Sequence, residues 1–281
     1  MKVAVTGASG FIGKYVIKKL LGCEIDVVAV TRNASRLIQL SEFVRVVEMD
    51  ITHPPFDCFQ KMGKPDVLIH LAWDGLPNYK SLHHFETELP SQYQFLNHMI
   101  DGGLPSLLVT GTCFEYGMQS GALSTSMPTK PTNPYGFAKN SLRQQLEYLR
   151  VTKHFKFTWV RLFYMYGDDQ PNTSLYPMLK EAVSRGDKVF NMSGGEQLRD
   201  YLHVEEVAKQ IVQLSLAQSD FGVTNISSGE PISVRRLVEQ WLTLNQWEID
   251  LNLGYYPYPD YEPMAFWGEP LPKSIFLNNL K

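Results

Sequence analysis

The sequence predicts an α/β fold: a doubly wound parallel sheet with a smaller C-terminal α/β lobe. Three observations carry this. Short apolar runs alternate with amphipathic stretches through the N-terminal part of the chain, as in a parallel sheet covered by helices. Most of the runs are continuously apolar rather than alternating, so both faces of the strands are expected to be covered. A glycine-rich turn, Thr6-Gly7-Ala8-Ser9-Gly10-Phe11-Ile12-Gly13, links the first run directly to the first amphipathic stretch.

Strands are expected at KVAVT (2–6), DVVAVTR (26–32), VRVVEMD (44–50), DVLIHLA (66–72), SLLVTGT (106–112) and FTWVRLF (157–163). After the first, Ile12, Val16, Ile17, Leu20 and Leu21 recur at helical spacing and Gly22 closes the helix. A later helix starts at Asn133-Pro134 and runs to about Lys153. There the Asn side chain can cap and Pro needs no N–H partner. Beyond 165 the pattern loosens, with helices expected at 174–186, 203–217 and 232–244. The tail from 254 to 272, rich in Tyr, Pro and Trp, reads as an ordered irregular cover. The expected division is a dinucleotide-binding domain over 1–165, rejoined by segments such as 196–222, and a lobe over 166–281.

Composition excludes several classes. With 281 residues, 44% hydrophobic and 20% charged, the chain is an ordinary globular protein. A net charge of −3 provides no field for nucleic acid. Cys23, Cys58 and Cys113 form no CxxC pair, so neither a disulfide framework nor a metal site is expected. No apolar run is long enough to span a bilayer, and Met1-Lys2 leads straight into a strand. The expectation is a cytoplasmic protein without membrane or nucleic-acid partners.

The glycine-rich turn carries the first functional reading. Glycine at 7, 10 and 13 permits a sharp turn, close approach to a pyrophosphate and tight helix–sheet packing, while the helix N-terminus offers free N–H groups. Ser9, Phe11 and Ile12 belong to the same cradle. The second strand should end beside the adenosine ribose. Arg32 stands there with Arg36 close behind, and no carboxylate occurs between Asp26 and Glu42. An Arg at this point would clamp a 2′-phosphate, so NADP(H) is favoured over NAD(H); a solvated surface Arg is the alternative. Asp50-Ile51, closing the third strand, would lie beside the adenine, although Asp50 could equally cap the strand.

Tyr135 and Lys139 stand four apart on the helix that Asn133 caps, so both project from one face. A free phenol has a pKa of about 10, and bringing it near neutrality takes about 4 kcal/mol. A nearby ammonium stabilises the phenolate. Thr112, ending a strand, could hydrogen-bond the same substrate oxygen. Together they form a proton-transfer site facing a hydride carrier.

GASGFIG (7–13), HLA (70–72), GTCFEYG (111–117), YGFAK (135–139), RLFYMYG (161–167), GGEQLRDYLHVEEVA (194–208) and NISSGEPISV (225–234) span almost the whole chain. In that order they resemble an extended short-chain dehydrogenase/reductase. The resemblance implies a Rossmann domain with a substrate lobe for nucleotide-diphospho-sugars, in a homodimer paired through helices over 82–101 and 134–153. It also implies that Thr112, Tyr135 and Lys139 are the catalytic triad and that Leu71 and Ala72 flank the cofactor. Arg199 matches a residue contacting the substrate diphosphate, for which its guanidinium fork is suited; a salt bridge to Asp200 or Glu205 is the alternative. His203 is expected to cap a helix or pack rather than to take part in the chemistry. Trp73, Cys113, Phe114 and Tyr164 fall among the sugar contacts, and Phe266-Trp267 offers a wall for the base.

Departures from the family pattern narrow the reaction. The Asp-Glu pair that dehydratases place after the catalytic Thr is replaced by Cys113 and Phe114, so dehydration is not expected. An Asn common before the fifth strand is missing near Thr87, and Tyr164 replaces another. Reduction of the C4 keto group of a dTDP-linked 4-keto-6-deoxyhexose with NADPH, in deoxysugar supply for surface polysaccharide, is the expected activity. The alternatives are an NAD-dependent 4-epimerase and a non-catalytic NADP-sensing regulator.

Overall fold

A computed structural model describes residues 1–217, 219–272 and 275. Seven parallel strands form the central sheet: β1 (Lys2–Thr6), β2 (Asp26–Thr31), β3 (Arg45–Glu48), β4 (Val67–His70), β5 (Ser106–Thr112), β6 (Lys156–Leu162) and β7 (Gly222–Ile226). Their spatial order is 7-6-5-4-1-2-3. The order reverses between β1 and β4, where an open α/β sheet has its ligand crevice at the strands' carboxyl ends. The first six strands lie within a residue or two of the expected ranges. β7 carries two buried polar side chains, Thr224 and Asn225, and shows no apolar run.

Helices cover both faces because the strands are apolar on both. α1 (Phe11–Leu21) packs on one face with α5 (Val204–Leu216), through Val16, Ile17, Leu20, Val207 and Ile211. α2 (Leu89–Asp101) and α3 (Pro134–Leu149) fill the other with Phe95, Leu96, Met99, Leu142 and Leu146. Asn133 Oδ1 accepts from Gly136 N at 2.8 Å and starts α3, which ends at Leu149, short of Lys153. His203 Nδ1 accepts from Glu205 N and caps α5.

A separate core gathers α4 (Leu175–Arg185), the strand Val189–Asn191 and α6 (Val234–Asn245) around Leu179, Phe190, Leu237, Val238 and Trp241. The return to the sheet runs through β7, past 222. In the tail, Phe266–Gly268 pairs in parallel with Gly121–Leu123. That pairing ties the cover to the segment after β5.

Candidate active site

The crevice begins where β1 and β4 end. Gly7 has φ +68°, and a Cβ there would meet Ala72 N at 2.9 Å. A Cβ on Gly13 would sit 2.2 Å from Gly7 O. The turn can therefore lie against both β4 and α1 only without side chains at these positions. Gly10 has no side chain with which to cap α1, which leaves the first N–H groups of the helix without a side-chain cap from that residue and suited to an anion.

A cavity of about 230 Å³ opens here, lined by Gly7, Ser9, Gly10, Arg32, Ile51, Leu71, Ala72 and Trp73 among others. Phe11, Ile12 and Gly13 open α1 and do not line it. Asp50 also stays out: its carboxylate accepts from the Thr52 N–H and hydroxyl instead. Glu88 and Gln92 carry no signal in the sequence, yet both line the cavity and are buried. Among the described residues Gln92 Oε1 has no partner at good hydrogen-bond geometry, though the His70 ring lies near enough to interact with Gln92, and the His83 ring nitrogen is 3.4 Å from Glu88 Oε1. Buried acceptors facing a cavity suit a ligand bearing hydroxyl and amino donors. A dinucleotide fits that set together with the uncapped helix.

A second cavity of about 600 Å³ lies toward the lobe, with Tyr79, Tyr164, Tyr166, Tyr176, Tyr201, Trp241 and Tyr261 in its walls. Tyr164 is the one expected sugar contact that lines it. Trp73 belongs to the first cavity, while Cys113 and Phe114 are buried and line neither. The aromatic richness of the tail signalled Tyr261; nothing local signalled Tyr79.

Tyr135 lines neither cavity but touches a wall residue of each. Its ring packs against Trp73 (6.0 Å between centroids), which lines the first, and Tyr79 (5.7 Å), which lines the second. His84 at 5.2 Å and Phe114 at 6.3 Å complete the surround. Burial pushes the phenol pKa far above its ordinary range; Tyr79, Cys113 and Glu115 add to this, and a hydrogen bond with Thr112 opposes it. Burial pushes Lys139 down to about 7, against the pull of Glu115 and Glu88. Lys139 Nζ donates to Thr110 O at 2.9 Å and lies 4.1 Å from the Trp73 ring centroid. Thr112 and Tyr135 thus lie within hydrogen-bond reach of each other, while Lys139 Nζ is engaged by Thr110 O; burial moves the phenol away from, not toward, the near-neutral pKa expected of it.

Thr112 is fixed from below. Glu115, fully buried, accepts from Thr112 N and Trp159 Nε1 at 2.9 Å each and from Arg161 Nε at 2.8 Å. Burial pushes the Cys113 thiol up, in keeping with a packing residue rather than a nucleophile.

Arg199 is buried at 3% exposure, and its partner is neither Asp200 nor Glu205 but Glu262, 3.3 Å from Nε. Its NH1 donates to Leu198 O and Met264 O, and its guanidinium lies 4.5 Å from the Phe266 ring centroid. A fork so occupied can offer two parallel N–H groups to a phosphate only by releasing Glu262 from Nε or a backbone carbonyl from NH1. Glu262 also accepts from the Tyr164 hydroxyl. Phe266 therefore packs beneath Arg199 rather than lining the second cavity. Asp200 accepts from Ser228 N and Gly229 N and is structural.

The model of the NAD dependent epimerase/dehydratase family matches residues 3–227. The chain is 30% identical over 273 residues to a dTDP-6-deoxy-L-talose 4-dehydrogenase (NAD(+)) of Aggregatibacter actinomycetemcomitans, covering 95% of this chain and 99% of the relative. It is 27% identical over 278 residues to a GDP-6-deoxy-D-talose 4-dehydrogenase from the same organism, covering 96% and 89%. Among solved structures, a UDP-glucose-4-epimerase from Stenotrophomonas maltophila with bound NAD and formylated UDP-arabinopyranose superposes with a TM-score of 0.85. That match is 21% identical and covers 100% of this chain and 92% of the other; it shows the shared fold.

Proposed function

The chain belongs to the NAD dependent epimerase/dehydratase family, and from that premise we propose that it transfers hydride at C4 of a nucleotide-diphospho-6-deoxyhexose. The physiological direction is reduction of the 4-keto sugar, with dTDP as the favoured carrier. The observation that carries it is the buried Tyr135, whose ring packs against Trp73 of the first cavity and Tyr79 of the second. A phenol at that point can give a proton to the C4 oxygen in reduction and take it back in oxidation. A 4-dehydrogenase, the activity in the relative's name, is the same reaction run backwards.

The cofactor proposed is NAD(H), in place of the NADP(H) that Arg32 suggested from sequence. Arg32 is paired with Asp74, and the relative's name specifies NAD(+). Gly7, Ser9, Gly10, Ile51, Leu71 and Ala72 would hold it. When bound, the nicotinamide supplies or takes up the hydride. Tyr135 Oη gives its proton to the oxygen developing at C4, and Thr112 orients that oxygen through its hydroxyl. Lys139, shielded by Trp73 and anchored on Thr110 O, would stabilise with its ammonium charge the phenolate left on Tyr135, which regains its proton from solvent before the next turnover. The aromatic second cavity takes the sugar and base. Two copies pair through α2 and α3; Phe137 and Tyr148, exposed on α3, support that part of the reading.

The test mixes purified protein, NADH and a dTDP-4-keto-6-deoxyhexose while following reduced-nicotinamide absorbance. Stoichiometric loss is expected. Isomerisation of a sugar without net loss would mean an epimerase, and no change in either would leave only a cofactor-binding protein.

A further inference from the structure

The end of β2 lacks the carboxylate that reads an adenosine ribose in NAD-selective folds, and the structure brings one there from elsewhere. Asp74 follows β4, yet its Oδ2 lies 2.9 Å from Arg32 NH1, and both residues line the first cavity. Asp74 is anchored at its backbone and its side chain. Its N–H donates to the buried Glu88 Oε2 at 3.0 Å, which Gln92 Nε2 also holds at 2.9 Å. Its Oδ1 accepts from Gly75 N at 2.9 Å. Against a burial cost, the Gly75 N–H and the Arg32 guanidinium hold its carboxyl below the ordinary range. The carboxylate is thus charged and fixed at the cavity rim.

We propose that Asp74 is the residue that sets cofactor choice, accepting the adenosine 2′-hydroxyl of NAD(H) and keeping Arg32 from a 2′-phosphate. The inference rests on reading the first cavity as the dinucleotide site. A hydroxyl can donate to a carboxylate, whereas a phosphate only accepts and carries like charge. A 2′-phosphate would therefore have to pull Arg32 away from Asp74 and then lie beside that carboxylate. Arg36, on the same rim, adds a positive charge but does not remove that conflict.

The test is binding, free of turnover: dissociation constants of NADH and NADPH for the full chain, by nicotinamide fluorescence. The proteins compared are the wild type, Asp74→Ala, the size-matched Asp74→Asn, and Asp74→Ala combined with Arg32→Ala. Wild type is expected to prefer NADH. Both single variants are expected to move the affinity ratio toward NADPH by about tenfold, equivalent to about 1.4 kcal/mol. Adding Arg32→Ala is expected to cancel most of that shift, because the freed guanidinium supplies it. If wild type binds NADH and the ratio moves less than about twofold in both single variants, Asp74 does not discriminate and the proposal fails alone. If neither nucleotide binds wild type, the dinucleotide reading fails and takes the proposal with it.

Discussion

Replacing Glu115 by Gln tests how the floor of the site is held. The carboxylate is fully buried and accepts from Thr112 N, Trp159 Nε1 and Arg161 Nε. Arg161 is itself only 2% exposed, with its guanidinium 4.4 Å from the Tyr116 ring centroid. An amide keeps one acceptor oxygen for Thr112 and Trp159. Its NH₂ then faces the Arg161 N–H donor, and a buried cation loses its counter-charge. Removing one partner of such a pair costs about 3–5 kcal/mol. For a chain of this size the midpoint of thermal unfolding should fall by on the order of 10 °C. Circular dichroism melts of wild type and Glu115→Gln measure it. Adding Arg161→Leu to Glu115→Leu should recover much of the loss suffered by Glu115→Leu alone, since no unpaired charge remains. A shift under about 2 °C in Glu115→Gln would refute the reasoning, because Arg161 would then be satisfied without the carboxylate.

Three further outcomes are expected. Tyr135→Phe should lower turnover by two or more orders of magnitude while leaving the NADH dissociation constant within about twofold; unchanged turnover would remove Tyr135 from proton transfer. Lys139 titrates at about 7 in the folded protein against its ordinary 10.5, so between these values the unfolded chain binds the extra proton and stability rises with pH. Denaturant melts should therefore show wild type gaining on Lys139→Met from pH 7 to pH 10, and a constant difference would contradict the burial argument. Glu262→Gln frees Arg199 from its ionic partner, so dTDP should bind several-fold more tightly by calorimetry; weaker binding would show that the carboxylate positions Arg199 rather than competes for it.

What could be read from the chain follows from how locally each feature is encoded. Six strands of the sheet were legible because a strand covered on both faces must be apolar along its length, and α1 and α3 because their glycine and Asn-Pro starts sit beside the elements they serve. β7 was not, since its Asn225 is buried among polar partners from distant segments, accepting from the Tyr116 hydroxyl and donating to Leu123 O. Thr112, Tyr135 and Lys139 were nameable because helical spacing and strand-end position fix where they project. The direction of the Tyr135 and Lys139 shifts was not, because it depends on residues such as Trp73, Tyr79, His84 and Phe114 closing around them from separate segments.

The ion pairs follow the same rule and bear directly on function. Arg32 and Arg199 each look like phosphate ligands when only their neighbours in sequence are considered. Asp74 and Glu262, brought from distant positions, already occupy them. A guanidinium's availability is a property of the fold rather than of its motif, and each pair imposes a different condition on a ligand. The exposed Arg32–Asp74 pair is weakly held, so an incoming phosphate could break it at little cost but would then lie beside the carboxylate that Arg32 had neutralised. The buried Arg199–Glu262 pair cannot separate without leaving one charge uncompensated, so an anion that displaced Glu262 would have to supply the replacement charge.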